Sequence, residues 1–217
     1  MKIKPRFKQL AVAVAIATGG MAAHAQVVLA QGFDDVAALA ASGWSFLNTS
    51  TSPGTNWFQG NSGVFAASSG APDSYAAANF LGTTGATGSV SNWMITPQLL
   101  LDSTSTVSFL ARTAGSGLLD TVQVMVSTSG IAPANFTLAG SYSSSAATGW
   151  TPVNFSLGLL SQTPAFVAFR YVVADVSIDG NYLGIDDVVI TAVPEPATVL
   201  LLGLGIAGLL ARRRLNA

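Results

Sequence analysis

Two pairs of adjacent aspartates, Asp34-Asp35 and Asp186-Asp187, are the residues of this sequence best suited to site chemistry. Carboxylates are hard oxygen donors, and without competing ammonium groups they suit Ca2+, which also accepts backbone carbonyls in irregular loops. Residues 26–193 hold nine aspartates against only two basic residues, Arg112 and Arg170, and contain no lysine. If the first and last strands of the fold lie side by side, the two pairs converge. Adjacent residues of a strand point to opposite faces, so at most one of each pair then serves as a ligand. The competing use is local, with Asp34 capping a helical turn and Asp186 and Asp187 solvated or bonded to turn amides. No EF-hand or glycine-aspartate repeat decides between the two. Asp73, Asp175 and Asp179 sit in turn-like contexts and could contribute ligands, ordinary loop roles being the competing use.

Other chemistries are poorly provided for. The only histidine is His24, cysteine is absent, and serines such as Ser68 and Ser69 therefore have no histidine to activate them. An aspartate-pair glycosidase would need only two suitably spaced carboxylates. The acidic middle argues against nucleic acid as a partner, since phosphate binding needs clustered Lys or Arg. Trp44, Trp57, Phe58, Trp93 and Trp150 raise carbohydrate stacking, with Trp57-Phe58 in a Gly/Asn-rich stretch the best sugar-facing candidate and core packing the ordinary alternative.

The segments that must position these residues are short and strand-like. Thr106 to Ala111 alternates, with Val107, Phe109 and Ala111 on one face; in Thr121 to Ser127 the valines 122, 124 and 126 alternate with Gln123 and Met125. Further strands are expected at Val27 to Ala30, Ser74 to Phe80, Trp93 to Leu101, Thr137 to Tyr142, Pro152 to Leu157, Ala165 to Val173 and Tyr182 to Thr191, with an edge or bulge at Pro97. Turn clusters such as Ser52-Pro53-Gly54, Gly70-Ala71-Pro72-Asp73 and Asp179-Gly180-Asn181 separate them. The only helical hint is Asp34 to Ala41. Many short strands without intervening helices predict an all-β fold, an antiparallel two-sheet β-sandwich of jelly-roll type.

The two ends differ from this middle. Residues 1–25 read as a signal peptide forming a signal helix: basic Lys2, Lys4, Arg6 and Lys8, an apolar run from Leu10 to about Met21, then Ala23-His24-Ala25 as a signal peptidase site with cleavage before Gln26. Residues 194–217 comprise Pro194-Glu195-Pro196, an apolar run from Ala197 to Ala211 and the cluster Arg212-Arg213-Arg214. As a helix the run reaches about 22 Å, short of the ~30 Å hydrocarbon core, so it is expected to be a short transmembrane helix and a poor permanent anchor. The arginines hold its end cytoplasmic and leave the acidic domain, residues 26–193, outside the inner membrane.

This tripartite tail resembles the PEP-CTERM sorting signal, which implies recognition by an exosortase, cleavage near the Pro-Glu-Pro and release or transfer to the cell surface. In the middle, Gly32-Phe33-Asp34-Asp35, Trp44, Asn56-Trp57-Phe58-Gln59-Gly60-Asn61, Gly70-Ala71-Pro72-Asp73-Ser74-Tyr75, Ser91-Asn92-Trp93-Met94-Ile95-Thr96-Pro97 and Gly184-Ile185-Asp186-Asp187-Val188 resemble the choice-of-anchor J domain. That family is similar in turn to cleaved-adhesin and MAM-like jelly rolls. The resemblance implies an extracellular adhesive or structural module, with no enzymatic activity to carry over and with structural calcium near the terminal strands. The expectation is therefore an exported, non-enzymatic protein adhesive or structural in the exopolysaccharide or biofilm layer, or alternatively a carbohydrate-binding module or a cryptic aspartate-based glycosidase.

Overall fold

A computed structural model describes residues 25–115, 117–147 and 149–192 together with Gly205. The expected signal helix, the residues Ala23, Pro194, Glu195, Pro196, Arg212, Arg213 and Arg214, and the C-terminal apolar run all lie outside the described residues. Among the described residues no helix is long and apolar enough to cross a membrane.

Among the described residues twelve strands follow one another in chain order. They are β1 (Gln26–Gln31), β2 (Ser45–Asn48), β3 (Phe58–Gln59), β4 (Ala76–Asn79), β5 (Val90–Ile95) and β6 (Leu99–Leu101), then β7 (Thr106–Thr113), β8 (Asp120–Ser127), β9 (Thr137–Ser144), β10 (Thr151–Ser156), β11 (Thr163–Val173) and β12 (Tyr182–Ala192). Three short 3-10 turns, at Ala37–Ser42, Phe80–Gly82 and Pro133–Asn135, are the helical elements among them. Every strand pair is antiparallel. One sheet runs β10-β7-β12-β4-β3 with β1 also on β12; the other runs β2-β5-β11-β8-β9 with β6 also on β11. This is an all-β two-sheet sandwich, consistent with a jelly roll.

Alternation sets the packing. β7 buries every second residue, and Val107, Phe109 and Ala111 enter the core with Val122, Val124, Val126, Phe169, Ile185 and Ile190. Phe109 and Phe169 meet edge to face across the sheets at 5.4 Å. Each outer face carries its own aromatic cluster, and each takes one of the domain's two arginines: Arg112 stacks on Phe65 at 4.6 Å and Arg170 on Trp93 at 4.8 Å. Both cations are thereby committed to covering rings.

The two sheets share an unusual plan. The eleven-residue strands β11 and β12 each present one edge to two short strands placed end to end. β12 pairs with β4 over Tyr182–Ile185 and with β1 over Val188–Ala192, leaving Asp186 and Asp187 at the gap. β11 pairs with β5 from Ala168 onward and with β6 over Thr163–Ala165, and the chain crosses that gap at Thr96-Pro97-Gln98. The expected irregularity at Pro97 is this break. Gln26 lies opposite Ala192, so the first and last strands begin and end at one pole of the sandwich. Loops around Phe80, Leu119 and Asn181 close the other, with Phe80 N–H donating to the Asn181 carbonyl at 3.2 Å and Gly180 N–H to that of Leu119 at 3.0 Å.

Candidate functional site at the gap in the first sheet

At the gap in β12 the ladder to β7 slips between Asp186 and Val189, and Asp187 adopts a left-handed backbone with φ 49°. The facing loop does the same, with Phe33 at φ 55°. These are the two non-glycine residues of positive φ among the described residues; Phe33 precedes one aspartate pair and Asp187 belongs to the other. Such conformations are uncommon for side chains of this size and concentrate where a fold is constrained by something other than its own local preferences.

The loop Ser68–Gly70 fills the gap. Asp186 is fully buried; its Oδ2 accepts N–H bonds from Ser68 at 2.9 Å and Ser69 at 3.3 Å, and its Oδ1 accepts from Asp187 N–H at 2.7 Å. Burial pushes this carboxyl above its ordinary range, with the N–H donors of Asp187 and Ser68 opposing the shift. Asp187 stands half-exposed beside it and accepts the Ser69 hydroxyl at 2.7 Å. Asp34 reaches the same loop, since a methyl group on Gly70 would lie 3.3 Å from its Oδ1. Asp35 turns away and accepts Ala38 N–H at 3.0 Å within the first turn of Ala37–Ser42, whose N-cap position is Val36.

The pairing of β1 with β12 thus brings three of the four expected aspartates, Asp34, Asp186 and Asp187, to one loop. Their states differ. Asp186 has both oxygens engaged by backbone donors, which is the local use of an aspartate; the hydrogen bond with the turn Ala37–Ser42 is made by Asp35 and not by Asp34, which is not its cap. Only Asp34 and the second oxygen of Asp187 remain for a ligand. Among the described residues no group of three or more His, Cys, Asp or Glu side chains is arranged to hold a metal ion. Hard-oxygen chemistry suits Ca2+, but its six to eight donors would have to come largely from backbone carbonyls and water.

Gln59 ties this region to a groove. Its Oε1 accepts Val36 N–H at 2.8 Å, while its Nε2 donates to the carbonyls of Phe33 at 2.9 Å and Asp73 at 2.6 Å. One side chain therefore pins β3, the left-handed Phe33 and the turn before β4. Beyond it opens a groove of about 490 Å³ lined by Asp35, Val36, Ala37, Ala40, Phe46, Trp57, Phe58 and Gln59. It lies along the flank where the edge strands β2 and β3 of the two sheets face out. Trp57 contributes an edge alone: it is 5% exposed, and its indole N–H donates to the Asn92 carbonyl at 3.1 Å. This corrects the expectation of an open stacking face on Trp57, because a loop position in the sequence did not reveal that the ring points inward. Phe58 is half-buried against Tyr182 at 5.9 Å, and Phe46 is likewise half-buried.

Two groups escaped the sequence reading. Asp120 is fully buried and accepts the Tyr171 hydroxyl at 2.6 Å and the N–H groups of Asn181 at 2.8 Å and Tyr182 at 3.3 Å. Burial raises its carboxyl, the Tyr171 hydroxyl opposing. Tyr75 and Tyr182 share a hydroxyl contact of 3.0 Å, and Tyr75 both accepts from and donates to the backbone of Asn61. No spacing rule links such partners; the one available signal was the lone aspartate heading an apolar strand, which must be satisfied if buried.

The domain is thus an antiparallel two-sheet β module. The PEP-CTERM protein-sorting motif is matched over residues 192–214, which implies export, processing by an exosortase and a surface destination. In structure the chain resembles the K3 cleaved adhesin domain of Lys-gingipain from Porphyromonas gingivalis, with TM-score 0.57 and 21% identity over 78% of this chain and 99% of that one. The K1 cleaved adhesin domain of the same protein gives TM-score 0.57 and 21% identity over 76% and 98%. At this identity the likeness is one of fold. No curated protein matches the chain.

Proposed function

We propose that the chain is an exported surface or matrix protein without catalytic activity, processed by an exosortase and working by adhesion or cohesion in the exopolysaccharide or biofilm layer. One observation carries the reading: the sorting motif at residues 192–214 follows, in the same chain, a sandwich with the fold of domains named cleaved adhesins. In finer terms the domain is of choice-of-anchor J type, supported by the Gly-Phe-Asp-Asp and Gly-Ile-Asp-Asp segments that meet at the gap. Signal peptidase acts after Ala25, and the inner membrane holds the tail only until exosortase acts. Replacing Pro194, Glu195 and Pro196 by alanine is expected to leave an unprocessed, membrane-bound form in cell fractions. Unchanged processing and release would defeat the assignment.

A second reading is favoured by the groove, whose Phe46, Trp57 edge, Phe58 and Asp35 supply apolar contact and one acceptor for a saccharide. The full chain is expected to bind the producing cell's exopolysaccharide, with Phe58→Ala weakening it about tenfold, the value of one aromatic contact. Equal affinity of the variant would move the sugar elsewhere. Asp35 is the one carboxylate lining the groove, so the two-carboxylate arrangement of a glycosidase has no support there. A structural Ca2+ on Asp34 and Asp187 is the accompanying proposal, supported by the convergence of the two on the Ser68–Gly70 loop.

A further inference from the structure

The pole at which β1 begins and β12 ends has a surface of its own. Ser156, Thr106 and Thr191 lie level in neighbouring strands, so the loop following β10 projects beyond the end of the sheet on the side of Ala192. That loop reads Leu157-Gly158-Leu159-Leu160-Ser161-Gln162. Leu157 is buried, its N–H donating to the Ser105 carbonyl at 3.0 Å, and Gly158 turns the chain outward at φ 66°. Leu160 is then 96% exposed, far beyond any other large apolar side chain among the described residues. Leu100 at 53% and Val27 at 55% stand exposed at the same pole, on β6 beside Pro164 and on β1 beside Thr191. Among the described residues of the segments that build this pole, Asp102 is the single ionisable side chain, and it is buried and holds Thr104 and Ser105.

Connectivity says what meets this surface. Four residues, 193–196, separate the end of β12 from the apolar run that begins at Ala197. Fully extended they span roughly 14 Å. A tail in the bilayer would keep the end of β12 within that distance of the headgroups, and the opposite pole of the domain is about 33 Å from that end, the length of β12. We propose that this pole docks on the outer leaflet of the inner membrane, with Leu160 inserted among the acyl chains and Leu100 and Val27 at its margin, holding the unprocessed chain against the lipid at a second point. The attachment is apolar in character, since an acidic domain without lysine draws nothing from anionic headgroups; it is therefore insensitive to salt. This inference rests on the reading of the tail as membrane-inserted before processing.

The absence of cysteine makes the test direct. The full chain carrying Leu160→Cys, or Ile178→Cys as its control, is labelled with an environment-sensitive fluorophore and reconstituted in phosphatidylcholine vesicles. Ile178 is a fair control because it is 67% exposed but belongs to the far pole. Carbonate extraction of the same samples reports whether the tail is inserted. The expected result is blue-shifted emission at position 160 that is quenched by doxyl-labelled lipid and unchanged by salt, with position 178 reading water. Emission at 160 equal to that at 178, whether both read water or both read lipid, in carbonate-resistant samples overturns the docking and leaves the sorting assignment standing. Carbonate-extractable protein removes the tail reading and the docking with it.

Discussion

The two gaps, one in each sheet, solve the same problem with different chemistry. In both, a long strand loses its neighbour for a few residues where two short strands meet end to end, and its free backbone groups need partners. The second sheet closes its gap with a neutral residue: Thr96 is buried, its N–H donates to the Val167 carbonyl at 2.9 Å, and its hydroxyl accepts Val167 N–H at 3.1 Å. The first sheet uses a buried carboxylate whose solvation is replaced by three N–H groups, next to two residues held in left-handed conformations. A threonine shows that closing the ladder requires neither charge nor strain. The extra cost at Asp186-Asp187 therefore belongs to what that gap does beyond closing the sheet, namely fixing the Ser68–Gly70 loop, Asp34 and the route to the groove.

Removing the closing group of each gap should separate them most widely. Asp186→Ala leaves three N–H donors without their acceptor and is expected to cost about 3 kcal/mol, or roughly 9 °C in Tm for a domain of this size. A loss as small as that of a surface substitution would mean that water replaces the carboxylate easily and that the first gap is not special. Calcium comes next. With a Kd of about 1 mM, 10 mM Ca2+ should add about 1.4 kcal/mol to unfolding, seen as a rise in Tm that chelator reverses and that Asp34→Ala abolishes. No shift at millimolar Ca2+ removes the ion from the account. Thr96→Val, which orphans one N–H, is expected to cost about 1 kcal/mol and leave any calcium response intact.

Charge also gives the first gap a pH dependence that the second lacks. The Asp186 carboxyl is raised by burial, so the folded chain holds its proton more tightly than the unfolded chain does. Its contribution to stability is accordingly full below the ordinary carboxylate value and is lost as the pH rises through the raised one. Urea unfolding across that interval should show stability falling with pH, the fall being shallower in Asp186→Asn and unchanged in Thr96→Val. Asp120, also raised by burial, keeps part of the slope in every variant. An identical slope in Asp186→Asn would show that Asp186 does not titrate in this range.

Much of this comparison was legible in advance because it rests on alternation. β7 and β8 could be read from their apolar period of two, the break at Pro97 from its missing N–H, and the meeting of the aspartate pairs from placing first and last strands together. β2 and β3 could not. Ser45–Asn48 has no β-branched residue and Phe58–Gln59 is two residues long, so both exist through pairing with β5 and β4 and not through local preference. The same limit hid Asp120, whose partners Tyr171 and Asn181 lie 51 and 61 residues away. It also hid the inward turn of Trp57, since a Gly/Asn-rich setting fixes flexibility and not direction.

The smallest effect is the most discriminating. Asp187 has a left-handed backbone that glycine adopts freely, and its side chain makes one hydrogen bond, to the Ser69 hydroxyl. If the residue served stability alone, glycine would have been the better choice: Asp187→Gly relieves the backbone, offset in part by the lost bond and by a looser unfolded chain. In chelator the variant is expected to melt within about 1 kcal/mol of the parent, whereas its calcium-dependent rise in Tm should vanish. Asp187→Asn, which tolerates the same conformation and keeps an acceptor for Ser69, should match the parent in chelator and lose most of the rise, because a neutral oxygen is a poorer ligand for Ca2+. A large loss of stability in chelator for both variants would make Asp187 a structural bracket, and the contrast between the two gaps would then reduce to one buried carboxylate.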